Sequence, residues 1–418
     1  MIKRNTLIPA FVLMLSFILL LTSSGCSQKA AADGDDLMKD IQPESIEQID
    51  SYIKEDNIAA MNFSLELFKM NLLCQNTLIS PVSVLSALGM TANGARETTL
   101  SQMEEVFGLP TEKINQLLNL YMRNLPDEDK LKVSMANSIW FREGGRIDVK
   151  KDFLQTNANY YNAGIYRSPF DETTLKAIND WVTKETDGMI ENILDEIPDE
   201  AVMYLINALS FDAEWETIYN EYSIWEDEFT ADDGTVQTAN MMYSEETQYI
   251  EDGDAKGFIK NYAGGKYAFV ALLPPEDLSL AGYIATLSGE KLHSLIENAE
   301  NTEVHTLMPK FTTEYSVEMS DILIMMGMED AFDEYKADLK DLGTAEGNLY
   351  ISRVIHKTKI EVDEKGTKAG AATVVEVSEE SAAIEEPKTV YLDRPFMYLI
   401  VDKESYLPLF IGTTLFVE

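Results

Sequence analysis

Apolar residues recur at helical spacing over residues 61–73 and again over 83–93, with a turn at Ser80 and Pro81 between them. The spacing predicts two packed helices, and it places Cys74, which follows Phe68, Leu72 and Leu73, on the buried side as a packing residue. Helical patterns dominate the first third of the chain. Strand-like runs rich in β-branched and aromatic residues then cover 132–141, 201–211, 257–273 and 303–313. Gly264 and Gly265 interrupt the third of these and predict a hairpin turn, not a phosphate loop. Residues 351–364 alternate, with Val354, Ile360 and Val362 among the apolar members, and predict a long strand. Two closing strands are predicted over 395–401 and 409–416. There is no internal repeat and no regular βαβ alternation, so the fold class is α+β.

The segment after residue 364 follows a different rule. Residues 366–372 are nearly all small, 373–377 are mostly β-branched, and 379–386 are acidic and Ala-rich. No proline occurs from Gly366 to Glu386, and the first is Pro387, so every backbone N–H needed for a central strand is present. At period two, one face would carry Thr367, Ala369, Ala371, Thr373, Val375 and Val377, all uncharged. The other would carry Lys368, Gly370, Ala372, Val374, Glu376 and Ser378, so both charges fall on one side. A solvated linker has no reason to sort its charges this way. A strand that buries one face does, and small side chains let it pass between two others without overpacking.

The 418 residues are 45% apolar and 25% charged, which suits a globular chain with a large core. With 33 basic against 72 acidic residues the formal charge is −39. That charge repels nucleic acid and anionic lipid, so no nucleic-acid partner is expected. At the N-terminus Lys3 and Arg4 precede an apolar run over 7–21 and then small residues, the layout of an export signal. Ser24, Gly25 and Cys26 resemble the end of a bacterial lipoprotein signal, with Ser23 standing where a larger aliphatic residue is usual. The expected organisation is a signal segment over 1–25, a polar tether over 26–47 and a folded domain over 48–418. Cys26 would be lipidated, placing the protein on the outward face of the membrane through that lipid alone. An ordinary signal peptide, giving a secreted protein, and a retained anchor helix are the alternatives. Cys74 is the only other cysteine, so a lipidated Cys26 leaves no intrachain disulfide.

Several separate stretches, in order, resemble the serpin family: N-T-L-I-S-P-V-S at 76–83, residues 137–141, I-N-D-W-V-T-K-E-T-D-G-M-I-E-N-I-L at 178–194, I-N-A-L-S-F-D-A-E-W-E at 206–216, M-P-K-F at 308–311, E-K-G-T-K-A-G-A-A at 364–372, R-P-F at 394–396 and L-F-I-G at 409–412. Met189 stands where the family usually has a basic residue. The resemblance implies a serpin fold of three β-sheets and about nine helices with an exposed reactive-centre loop, here about 364–391. It implies a monomer without cofactor or metal that holds serine proteases covalently as a suicide substrate and catalyses nothing itself.

The resemblance also assigns residues. Glu364, Gly366, Thr367, Ala369, Gly370, Ala371 and Ala372 would form the hinge of the loop. Glu364 would pair with Lys310 near Trp215 at the breach, where insertion starts. Ser80, Ser83, Asn207 and His356 would form the shutter, a buried polar cluster under the centre of the main sheet, where unpaired groups are costly. Counting seventeen positions from Glu364 in the family's manner makes Glu380–Ser381 the bait bond, with Ala382, Ala383 and Ile384 as alternatives. Glu suits a basic specificity pocket, Ala or Ile an elastase-like or subtilisin-like one, and the absence of Lys or Arg between 369 and 387 disfavours trypsin-like targets. A non-inhibitory carrier with the same fold is the rival reading. An enzyme is not expected, because G-x-S-x-G, H-E-x-x-H and P-loop motifs are missing and the three histidines are far apart.

Overall fold

The computed structural model describes residues 35–144, 147–367 and 387–417, which belong to one compact unit. In chain order the first elements are β1 (Asp35–Asp36), α1 (Lys54–Met70), β2 (Leu78–Ile79), α2 (Pro81–Ala92), α3 (Glu97–Phe107), α4 (Thr111–Arg123), β3 (Asp127–Glu128) and β4 (Leu131–Arg142). Next come β5 (Asp148–Val149), α5 (Lys151–Tyr161), β6 (Gly164–Ser168), α6 (Glu172–Glu185) and β7 (Met203–Glu214). Then follow β8 (Ile224–Thr230), β9 (Val236–Asp252), β10 (Ala255–Asn261), β11 (Tyr267–Leu273), α7 (Leu280–Thr286), α8 (Gly289–Glu297) and β12 (Glu300–Pro309). The last are β13 (Phe311–Glu318), α9 (Ser320–Met326), β14 (Gly343–Thr344), β15 (Arg353–Val362), β16 (Gly366–Thr367), β17 (Lys388–Tyr391), β18 (Phe396–Asp402) and β19 (Pro408–Thr414).

One eight-stranded sheet runs β1-β6-β4-β7-β16-β15-β13, with β3 beside β4. The other sheets expected from the sequence are joined by hydrogen bonds into nine strands, β17-β12-β9-β10-β11-β18-β19-β2 with β8 beside β9. Their union runs through β9, whose first half pairs with β8 and whose second half pairs with β10. A third, two-stranded sheet pairs β14 with β5, and the architecture is α+β, with nine α-helices among the described residues. Every residue of α2 is buried, as befits a helix that is apolar on all sides and lies against β4, β7 and β19. Pro81 at its first turn loses no hydrogen bond that an internal position would have made.

Three expectations change. The run predicted over 303–313 is broken at Lys310: β12 and β13 lie in different sheets, so the chain crosses between layers there. Cys74 is exposed, because α1 stops at Met70. Asn71 turns its amide back to the Leu67 carbonyl at 2.7 Å, which leaves 72–74 beyond the helix and off its buried face. Finally, residues 35–49, expected largely as tether, lie against the domain. Asp35 and Asp36 pair with Arg167 and Tyr166, Met38 is buried, and the Glu44 N–H donates to Asn159 Oδ1 at 2.7 Å.

Candidate functional site

The head of the eight-stranded sheet is built where β15 turns back on itself. Val362 ends the strand, and the Asp363 carboxylate accepts from the N–H groups of Lys365 and Gly366, at 2.8 and 3.1 Å, closing a tight turn. The chain then descends as β16 between β15 and β7, with Thr367 opposite Val362 on one side and Ala213 on the other. Gly366 is required by that approach: a Cβ there would lie 1.9 Å from the Ala213 carbonyl oxygen.

Trp215, at the end of β7, clamps the turn. Its main-chain N–H donates to the Lys365 carbonyl and its indole Nε1–H to the Asp363 carbonyl, both at 2.8 Å. The Tyr219 N–H donates to the Glu364 carbonyl at 2.9 Å. Trp215 stacks on Tyr262 with ring centres 4.4 Å apart, and the Tyr262 hydroxyl shares a 2.7 Å hydrogen bond with the Thr367 hydroxyl. Thr367 is therefore buried, 1% exposed, with its side chain toward the core. Lys310 Nζ lies 2.5 Å from Glu364 Oε2, and this ion pair holds the Glu364 carboxyl below its ordinary value. Both partners are about a third exposed, at 31% and 32%, so the pair orients more than it stabilises.

Below the head, β7 and β15 run parallel and pair directly at three positions only, Tyr204 with Arg353, Leu205 with Val354 and Ile206 with Ile355. Among the described residues, no ladder pair joins 207–212 of β7 to 356–361 of β15. At the lower end of this interval His356 is buried under the sheet. Its Nε2 accepts from the Ser80 N–H at 3.0 Å, and the Ser80 hydroxyl donates to Ser83 Oγ at 2.9 Å. Burial holds the imidazole neutral, with its pKa pushed down to about 3, and Nδ1 has no hydrogen-bond partner. The expected fourth member stands apart. Asn207 gives its amide to Asn137 Oδ1, at 2.6 Å, so no hydrogen bond joins it to Ser80, Ser83 or His356. The reason is register: β4 and β7 place Asn137 directly opposite Asn207.

A profile described as Serpin (serine protease inhibitor) matches residues 58–415. The chain belongs to the serpin family. Human Serpin B9 is 30% identical over 375 residues, covering 85% of this chain and 97% of its own. The thermophilic serpin tengpin in its native state superposes with a TM-score of 0.88 at 46% identity, over 92% of this chain and all of the other. Tengpin in the latent state superposes less well, with a TM-score of 0.78 at 45% identity, over 88% of this chain and all of that one.

Of the expected hinge, Glu364, Gly366 and Thr367 are described, whereas Ala369, Gly370, Ala371 and Ala372 lie outside the described residues, as do Glu380, Ser381, Ala382, Ala383, Ile384 and Cys26. Sequence reasoning missed Asp363, Tyr219, Tyr262 and Asn137. The first had a local signal, an Asp followed three residues on by Gly, which marks a turn. The others are joined to the site only by contacts distant in sequence.

Proposed function

We propose that this serpin inhibits extracellular serine proteases by trapping them as covalent acyl-enzymes. The protease serine oxygen attacks the carbonyl carbon of Glu380, the bond to the Ser381 nitrogen breaks, and that nitrogen leaves as an amine carrying the transferred proton. An ester remains, and insertion of the freed strand distorts the protease before water can hydrolyse it.

The observation that carries this reading is the seeded strand: Gly366–Thr367 sits between β7 and β15, above an interval of both strands without ladder pairs. Extended downward, the same antiparallel register sets Ala369 opposite Phe211 and Ile360, Ala371 opposite Leu209 and Thr358, and Thr373 between Asn207 and His356. The uncharged register then faces the core on the side already taken by Thr367. Only beyond Thr373 must the strand part the three pairs that join β7 to β15. The small-residue run thus fills the open interval, and the buried polar cluster lies where insertion begins to cost ladder bonds. The greater likeness to native than to latent tengpin supports an uninserted resting form.

Export with lipidation at Cys26, targets of elastase-like, subtilisin-like or Glu-specific type, and monomeric action belong to the same proposal. The test is to mix the protein with elastase, subtilisin, a glutamyl endopeptidase and papain and look for an adduct that survives SDS. Mass spectrometry of the released C-terminal fragment identifies the bait bond. A lasting ester with at least one of the three serine proteases, and none with papain, is expected; cleavage of the loop by all three without an adduct refutes inhibition.

A further inference from the structure

One buried ion pair lies beside the clamp on the hinge. Lys260, on β10, is 1% exposed, and its ammonium sits 2.7 Å from Glu246 Oε1 on β9. Glu246 is itself held by the Ser244 hydroxyl at 2.6 Å, and Ser244 shares a 2.9 Å hydrogen bond with the Thr306 hydroxyl on β12. Burial works against the ammonium's charge, and its neighbours Tyr219 and Glu246 outweigh it, so its pKa lies above the ordinary lysine value. A buried lysine of this kind is expensive to keep.

What the charge touches points to its use. The ammonium lies 4.4 Å from the centre of the Tyr219 ring and 5.5 Å from that of Trp215, within the range where a desolvated cation is attracted to an aromatic face. These two residues supply the three donors to the hinge carbonyls of Asp363, Glu364 and Lys365. The ammonium lies over the Tyr219 ring, and the Tyr219 hydroxyl lies near Ser244, the residue that also holds Glu246.

We propose that Lys260, with Glu246 as counter-ion, is a positioning residue for the hinge: it fixes the Trp215 and Tyr219 rings so that their N–H groups hold residues 363–365 and insertion starts from a seated Gly366–Thr367. Its effect on trapping rests on the inhibitory reading above, whereas its effect on the hinge can be measured without a protease.

The test uses the full, uncut chain and hydrogen exchange of the main-chain amides of Trp215 and Tyr219, whose acceptors are hinge carbonyls. Lys260→Met/Glu246→Gln removes both charges and strands neither. It is expected to speed exchange at these two amides by about tenfold, to leave β18 and β19 unchanged, and to raise several-fold the moles of inhibitor consumed per mole of protease trapped. Lys260→Arg keeps a cation over the rings and should stay within about twofold of the native protein. Native exchange at Trp215 and Tyr219 in the double variant overturns the proposal. So does equal acceleration in β18, which would mean general loosening, or equal acceleration in Lys260→Arg, which would mean that shape and not charge holds the rings. If the native protein forms no adduct at all, the inhibitory reading falls, and amide exchange still decides the role of Lys260.

Discussion

The two large sheets of this serpin are held together in opposite ways. In the nine-stranded sheet, β11, β18 and β19 are buried at all seven positions each and laddered along nearly their whole lengths, with one irregularity between Ile400 and Val401. In the eight-stranded sheet, the neighbours β7 and β15 share three direct pairs, and the space between them is held at the top by a turn and an ion pair and at the bottom by a polar cluster. Apolar packing is non-directional and gains from every contact, so a sheet held that way has no cheap opening. Hydrogen bonds can be exchanged one for another, so a sheet closed by them can be opened and refilled by another strand at lower cost. On the proposed inhibitory reading, the difference teaches where the molecule would open: at the few polar groups at the centre of one sheet, beside a sheet closed by apolar packing.

Cutting the loop should give the largest effect. Insertion of the freed strand would add roughly a dozen ladder bonds at about 1 kcal/mol each, raising the melting temperature by on the order of 10 °C or more. Equal melting by calorimetry before and after cleavage would abolish the distinction between the sheets.

A pair of substitutions sharpens it. Leu399→Ala, in the fully buried β18, should cost about 2–5 kcal/mol of stability in denaturant titration while the yield of covalent adduct stays native. Thr367→Arg should do the reverse: a long cation in the place now facing Tyr262 blocks entry of the strand, so adduct yield falls at least tenfold and the loop is cleaved as substrate. Loss of adduct in both, or in neither, would show that the two sheets do not divide the work.

Acid should act on the eight-stranded sheet first. The folded protein keeps His356 neutral down to about pH 3, while the unfolded chain takes up that proton near 6.5. Below about 6.5 the unfolded state therefore binds more protons, and stability falls with pH by at most about 1.4 kcal/mol per unit. Unfolding midpoints at pH 7, 5.5 and 4.5 should drop in the native protein and flatten over that window in His356→Asn.

The smallest effect belongs to Glu364→Gln. Because Lys310 lowers the Glu364 pKa, the pair's contribution is complete above the ordinary carboxylate range and is lost as pH falls through the lowered value. At a third exposed the pair should contribute less than about 1 kcal/mol and weaken with salt. A larger, salt-independent loss on denaturant titration would mean that the breach, not the polar cluster beneath it, holds the sheet.

Of the segment predicted to insert, the described residues contain only Gly366 and Thr367, and Thr367 takes the inward face predicted for it, because a period of two is a property of neighbours in sequence. The helix over 83–93, the Gly264–Gly265 turn and the strands after residue 395 were legible for the same reason, since backbone conformation and periodicity belong to neighbours in sequence. What the chain order could not supply was the identity of partners. Lys310 divides one apolar run between two sheets, Asn207 meets Asn137 instead of the histidine, Tyr262 reaches Thr367 across 105 positions, and Cys74 is exposed once Asn71 ends its helix. Periodicity says that a side chain is buried. Only the register between distant strands says against what, because that choice is settled by packing across the whole core and not by the residues on either side.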